Sequence, residues 1–197
     1  EAVESAGAAW LTVHGRTRSA TYADPVDLRA IREIKEKLSI PVLGNGNLFA
    51  PSEVSEMREK AATDGAMISR GALGNPWVFK QLQDPSFKLS LEAWYEGVKA
   101  HLLWHKELYG EKRGSLVCFR KHLVWYLKGW NNCRHIREQA VKTESFSATE
   151  ELLSQMMDRQ KDVQGYRQLG EKNLEKRFLW DPKYDMERPQ EFVPKQA

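Results

Sequence analysis

Three polar loops hold the residues of this chain that are best suited to binding chemistry. The first, His14–Arg18, reads HGRTR and follows an apolar run. The second and third, Gly44–Asn47 and Ser69–Asn75, also follow apolar runs and are rich in glycine. Glycine-rich loops that lead from a strand towards a helix can present backbone N–H groups to a phosphate. The imidazole and guanidinium groups of the first loop suit a polar or anionic ligand.

Each of these loops must be positioned by the element before it. The segments Ala8–Arg18, Ile40–Asn47 and Gly65–Asn75 each have the pattern of a buried strand followed by a polar loop, and helical spacing of apolar residues separates them. We predict that the first such helix has Asp24 as its N-cap and Pro25 as its first residue. Strand, loop and helix repeated three times predict a parallel α/β sheet or barrel, in which ligands bind at the carboxyl ends of the strands.

The chain changes character at Gln83–Leu89, where Pro85 interrupts the helical pattern. All later elements are predicted to be helical. The first has Trp94, Val98, Leu102, His105 and Leu108 near one face, and Gly110 ends it. The predicted helices are Leu91–Tyr109, Ser115–Lys128, Arg134–Lys142 and one that begins at Ser147 with Glu150 placed for a capping box.

Basic residues are concentrated in the helical part of this 197-residue chain, whose formal net charge is +3. Residues 88–180 contain 17 Lys and Arg against 12 Asp and Glu. Arg120, Lys121 and Lys128 lie there among aromatic residues, a composition typical of surfaces that bind RNA phosphates and bases. We expect Phe119 and Tyr126, which share a helix face, to serve mainly as packing.

Other classes of site and location are disfavoured. Cys118 and Cys133 provide no disulfide framework, so we expect a reduced, cytoplasmic compartment. No apolar run has transmembrane length, and we expect no membrane partner. His101 and His105 are one helical turn apart but have no third ligand nearby in the sequence, so we expect no metal site.

The exact amino-acid sequences of the loops are more informative than their polarity and glycine content alone. HGRTR, PVLGNGN and DGAMISRGALGNPWVF, in this order, closely resemble the C-terminal part of the dihydrouridine synthases, and FRKHLVWYLKG resembles a helix of that family. The resemblance implies the last three strand–helix units of a TIM-type (β/α) barrel followed by an all-α domain. The implied divisions are a flavin-binding part over 1–86, a helical tRNA-binding domain over 87–180 and a loose tail over 181–197.

The resemblance also implies the roles of individual residues. Asn47 stands where the family usually has Asp, and Ser69 where it usually has Gly. His14 and Arg16 are expected to contact the substrate uridine. Arg18, Arg120, Lys121 and Lys128 are expected to bind tRNA. The residues expected to bind FMN are His14, Asn45, Gly46, Asn47, Ser69, Arg70 and Gly71.

The implied reaction is reduction of the C5=C6 bond of uridine in tRNA, with NADPH or NADH as reductant. In the family a reduced flavin delivers hydride to C6, and a Cys in an earlier loop, roughly N-x-GCP, protonates C5. Neither Cys118 nor Cys133 matches that loop. A complete barrel needs about 250 residues, so we expect an N-terminal part of the same enzyme to be missing and this portion alone to be inactive.

Two alternatives remain open from the sequence. One is a flavin barrel oxidoreductase that acts on a small molecule and shares the phosphate loops. The other is a non-catalytic module that binds RNA or another partner.

Overall fold

Three parallel strands carry the polar loops at their carboxyl ends. The computed structural model describes residues 1–128, Trp130 and 133–162. Strands β1 (Leu11–His14), β2 (Val42–Asn45) and β3 (Gly65–Met67) form a sheet in the order β1–β2–β3. His14 lies opposite Asn45, which lies opposite Met67, so all three strands end at the same edge. Strand β1 begins three residues later than the predicted start at Ala8, and β3 ends two residues before the predicted end at Ser69.

Helices cover one face of this sheet. Helix α1 (Ala2–Ser5) precedes β1, while α2 (Leu28–Glu36) and α3 (Pro51–Ala61) connect successive strands. Helices α2 and α3 pack against each other, so both lie on the same side. Each connection also steps one strand in the same direction, as in a barrel; doubly wound sheets place helices on both faces. The predicted α/β class is confirmed, and the small parallel sheet is consistent with a partial barrel.

The predicted start of α2 is wrong by three residues. The carboxylate of Asp24 accepts a hydrogen bond of 2.9 Å from the Thr21 hydroxyl, which makes Asp24 part of a turn. Asp27 is the N-cap instead, and its carboxylate accepts from the Ala30 N–H at 2.9 Å. Two acidic residues three positions apart could each cap a helix, and the turn engages the first one.

The elements after β3 are helical as predicted. The 3₁₀ turn Arg70–Ala72 leads to α4 (Val78–Gln83), followed by α5 (Leu91–Tyr109), α6 (Arg113–Leu127), α7 (Arg134–Ala140) and α8 (Phe146–Asp162). Helix α8 begins before the predicted Ser147. The Ser145 hydroxyl accepts from the Ala148 N–H at 3.0 Å, so Glu150 does not occupy the predicted capping-box position.

Two separate apolar clusters stabilise these two sets of elements. The first cluster, between the sheet and its helices, consists of Ile31, Leu48, Val54, Met57 and Ala61. The second is larger and joins α5 to α8 through residues that include Trp94, Leu102, Phe119, Leu123, Ile136 and Met156. Leu108 does not belong to it, contrary to expectation: it is 75% exposed because the last turn of α5 extends beyond the cluster.

Trp77 joins the strand–helix part to the helical part. Its ring lies 6.1 Å from that of Tyr126 on α6 and packs against the α5 backbone at Gly97. Nearby, a Cβ on Gly74 would lie 2.4 Å from the Trp125 carbonyl oxygen, so only glycine permits this contact. The division at residues 86 and 87 stays a prediction, which the two clusters support. The predicted tail, 181–197, lies outside the described residues.

No helix among the described residues is long and apolar enough to cross a membrane. In the same part of the chain, His, Cys, Asp and Glu side chains form no group of three that could hold a metal ion.

Candidate functional site

The three polar loops meet around one cleft of about 240 Å³ at the carboxyl edge of the sheet. Every residue expected to bind FMN lines it, although those residues come from three separate segments. Their roles stay predictions. The lining residues are His14, Tyr22, Asn45, Gly46, Asn47, Leu48, Phe49, Ser69, Arg70 and Gly71.

Arg16 organises the first loop from behind the cleft. Its guanidinium donates to the Asp24 carbonyl at 2.9 and 2.6 Å and to the Tyr22 carbonyl at 3.2 Å. These bonds fold the loop back so that Tyr22 reaches the cleft. These hydrogen bonds give Arg16 a supporting position, and it does not line the cleft. The substrate contact that the resemblance implies for Arg16 stays a prediction.

His14 presents a neutral imidazole to the cleft. Burial lowers its pKa, and the positive charges of Arg16 and Arg70 lower it further. Its Nε2 atom lies 3.4 Å from Nη1 of Arg16. Because a guanidinium can only donate, Nε2 is the acceptor, and Nδ1 carries the proton. The neutral ring of His14 therefore has one hydrogen-bond donor, at Nδ1.

The second loop turns sharply into the cleft. Gly46 has φ +124° and Asn47 φ +52°, and both glycine and asparagine tolerate positive φ better than other residues. The Asn45 side chain donates to the Met67 carbonyl at 2.6 Å, which ties the end of β2 to the end of β3. Because asparagine tolerates the positive φ of residue 47, Asn in place of the family's usual Asp is compatible with the observed backbone.

Arg70 is stacked on aromatic rings at the third loop. Its guanidinium carbon lies 3.9 Å from the Tyr22 ring centroid and 5.6 Å from that of Phe49. Such cation–π contacts hold the side chain at the cleft wall. Ser69 has φ −113°, outside the left-handed region that favours glycine, so φ does not exclude a side chain at this position.

The second and third loops approach each other closely at Gly71. A Cβ added there would lie 1.9 Å from the Leu48 carbonyl oxygen, and both residues line the cleft. The width of the cleft therefore depends on the absence of a side chain at position 71.

The lining suits a group with a phosphate. Among the ten residues that line this cleft, only Arg70 carries a full charge at neutral pH, since His14 is neutral and the rest are uncharged. A guanidinium beside glycine-rich backbone can hold a phosphate by charge-assisted hydrogen bonds. The two asparagines and His14 add donors and acceptors for the polar edge of a ring.

Three lining residues were missed from the sequence. Leu48 and Phe49 follow the second glycine loop directly, and that position is the signal that could have revealed them. Tyr22 lies eight residues beyond His14, and only the bonds of Arg16 return it to the cleft. Arg18 is exposed on the first loop and does not line the cleft.

The basic residues predicted to bind tRNA have different environments. Arg120 is partly buried and donates through two nitrogen atoms, one at 3.0 Å, to the Thr143 carbonyl. This bond joins α6 to the segment before α8 and gives Arg120 a structural contact. Lys121 is exposed, and Lys128 is partly exposed at the end of α6. Cys118 is exposed and Cys133 buried, both away from the cleft.

Comparison with known proteins assigns the class. Residues 1–162 match the family described as dihydrouridine synthase (Dus). The chain belongs to this family.

Individual relatives are consistent with that assignment. A probable tRNA-dihydrouridine synthase of Rickettsia bellii is 36% identical over 141 residues, 68% of this chain and 43% of the relative. The tRNA-dihydrouridine synthase B of Pasteurella multocida is 31% identical over 176 residues, 81% of this chain and 51% of the relative. The chain thus spans about half the length of the curated relatives it matches.

Proposed function

We propose that this chain is the C-terminal portion of a flavin-dependent tRNA-dihydrouridine synthase. The observation that carries the proposal is the meeting of three family motifs around one cleft whose charged residue is Arg70. The complete enzyme would reduce the C5=C6 bond of a uridine in tRNA with NADPH or NADH. A buried uracil must leave its stack to reach such a cleft.

The cleft residues have distinct parts in this proposal. Arg70 and the backbone around Gly71 would hold the phosphate of FMN, while Asn45, Asn47 and His14 would contact its polar ring. A reduced flavin held by these residues would supply hydride chemistry for the uracil. His14 would orient the flavin or the base through its Nδ1 proton, and Arg16 would keep His14 in that protonation state.

The residue that protonates C5 is expected in a part of the enzyme outside this chain. This chain lacks the N-x-GCP loop. We therefore expect the chain alone to form dihydrouridine far more slowly than a complete synthase. The general acid by itself contributes about 10²–10⁴-fold. Three strands alone would also position a flavin less well than a complete barrel.

Arg70→Ala tests the cleft assignment. We expect FMN affinity to fall about tenfold, because a charge-assisted bond to phosphate is lost. Titration of FMN fluorescence with the purified chain measures this. Arg18→Ala is the matched control, since Arg18 lies on a neighbouring loop outside the cleft lining. Equal FMN affinity for Arg70→Ala and the unmodified chain would contradict the assignment.

A second test concerns tRNA. Lys121→Glu combined with Lys128→Glu should weaken tRNA binding and flatten its dependence on salt, because fewer counterions are released from phosphates. Affinity measured over a salt series gives both quantities, and circular dichroism checks that the helices remain. If neither the tRNA affinity nor its salt slope changes, these lysines face solvent and do not contact tRNA.

A further inference from the structure

Beside Trp77, helices α5 and α6 present a strip of flat side chains that the cleft does not use. His101 and Trp104 lie one turn apart on α5, and His122 and Trp125 lie one turn apart on α6. The rings of His101 and His122 are 5.0 Å apart, and those of His122 and Trp125 are 5.1 Å apart. We call these four residues the aromatic strip.

Trp104 is the most exposed member of the strip. It is 68% exposed, on a helix whose buried face consists of Leu91, Trp94, Val98, Leu102 and His105. The indole therefore adds little to the packing of the helices. A large aromatic side chain left in water, one helical turn from another ring, is typical of a binding surface.

The two histidines of the strip are neutral. Burial lowers the pKa of His101, and it lowers the pKa of His122 to about 4. Their rings are therefore uncharged at pH 7. They pack edge to face with each other, and His101 also contacts Phe119 and Tyr126. Uncharged rings suit contact with other planar groups better than they suit phosphate binding.

Positive charge is placed beside these faces. The segment Lys112–Lys128, which spans α6 and its caps, contains five basic residues and no acidic one. Lys121 is exposed, and its charge lowers the pKa of the adjacent His122. Cations alongside stacked aromatic rings are typical of surfaces that bind single-stranded nucleic acid.

The strip begins near the cleft. Gly74 contacts the Trp125 backbone, and Gly71 lines the cleft. Three residues of chain span at most about 11 Å. A strand of RNA that delivers one base to the cleft would therefore have neighbouring nucleotides close to Trp125.

We propose that the aromatic strip stacks unpaired bases of the same RNA whose target nucleotide enters the cleft. The inference rests on the proposed function, because it needs RNA as the substrate. It assigns binding through bases to the strip and binding through phosphates to the lysines beside it.

Trp104→Ala in the full 197-residue chain tests this division. Fluorescence anisotropy with a labelled, unmodified tRNA transcript over a salt series measures affinity and salt slope. We expect affinity to fall about tenfold at every salt concentration, since one stacked base is lost. The slope should stay unchanged, because no phosphate contact is removed. Trp104→Phe should retain most of the affinity.

Trp10→Ala is the matched control. Trp10 is 61% exposed but precedes β1 and belongs to neither α5 nor α6, and we expect no change in tRNA affinity. Sedimentation of each variant without RNA measures self-association in parallel.

Each other outcome overturns the inference in a distinguishable way. If the unmodified chain does not bind tRNA, the proposed function and the strip both fail. If it binds tRNA, and Trp104→Ala and Trp125→Ala bind equally well, the strip fails while the proposed function stands. If Trp104→Ala reduces self-association and leaves RNA affinity unchanged, the strip is a contact between copies of the chain.

Discussion

Gly71→Ala is expected to lower the free energy of unfolding by about 3 kcal/mol, a large effect for one methyl group. The added Cβ would lie 1.9 Å from the Leu48 carbonyl oxygen and 3.0 Å from the Phe49 Cα. Both neighbours are backbone atoms, which cannot rotate away as a flexible side chain can. The second and third loops would have to separate, and the first apolar cluster, which contains Leu48, would be disturbed.

Urea unfolding of the full chain measures this loss. Gly114→Ala is the control, because a Cβ there meets no atom within 4 Å and Gly114 lies in the first turn of α6. Alanine is a better helix former than glycine by about 1 kcal/mol, so the control should be neutral or slightly stabilised. Equal unfolding midpoints for Gly71→Ala and the unmodified chain would show that the two loops are not in contact.

Acidification is expected to destabilise the helical part through His122. Burial, aided by the charges of His101, Lys121 and His105, lowers the pKa of folded His122 from 6.5 to about 4. Between these two values the unfolded chain binds the proton and the folded chain does not, so stability falls as pH falls. The full shift corresponds to about 3 kcal/mol, which solvent around the half-buried ring reduces to about 2 kcal/mol.

The measurement compares urea unfolding at pH 7 and pH 4 for the unmodified chain and for His122→Gln. The variant should lose about 2 kcal/mol less on acidification, because its side chain does not titrate. His135→Gln is the control, because it removes a histidine at an exposed position on α7. Identical acid losses in the unmodified chain and in His122→Gln would show that His122 is not protected from protonation.

Local pattern predicted most of the elements. Helix α5 has the predicted bounds, since its apolar spacing is long and Ser90 and Gly110 mark its ends. Val54, Met57 and Ala61 are buried on α3 as their spacing indicates. The starts of α2 and α8 were placed wrongly, because several residues near each start could cap a helix and only the surrounding turn selects one of them.

The residue types and their order along the chain predicted that three polar loops follow three strands. The resemblance to the family implied which seven residues bind a phosphate-bearing cofactor, and those roles stay predictions. Only the tertiary structure decided how those loops meet. The parallel register aligns the strand ends. The hydrogen bond from Arg16 to the Tyr22 carbonyl places the Tyr22 ring against Arg70. The absence of a side chain at Gly71 leaves room for the Leu48 carbonyl. These contacts join residues far apart in the chain, and a one-dimensional pattern carries no information on such distances. The same holds for Arg120: its sequence context indicates a surface cation, but the packing of α6 places the Thr143 carbonyl within its reach.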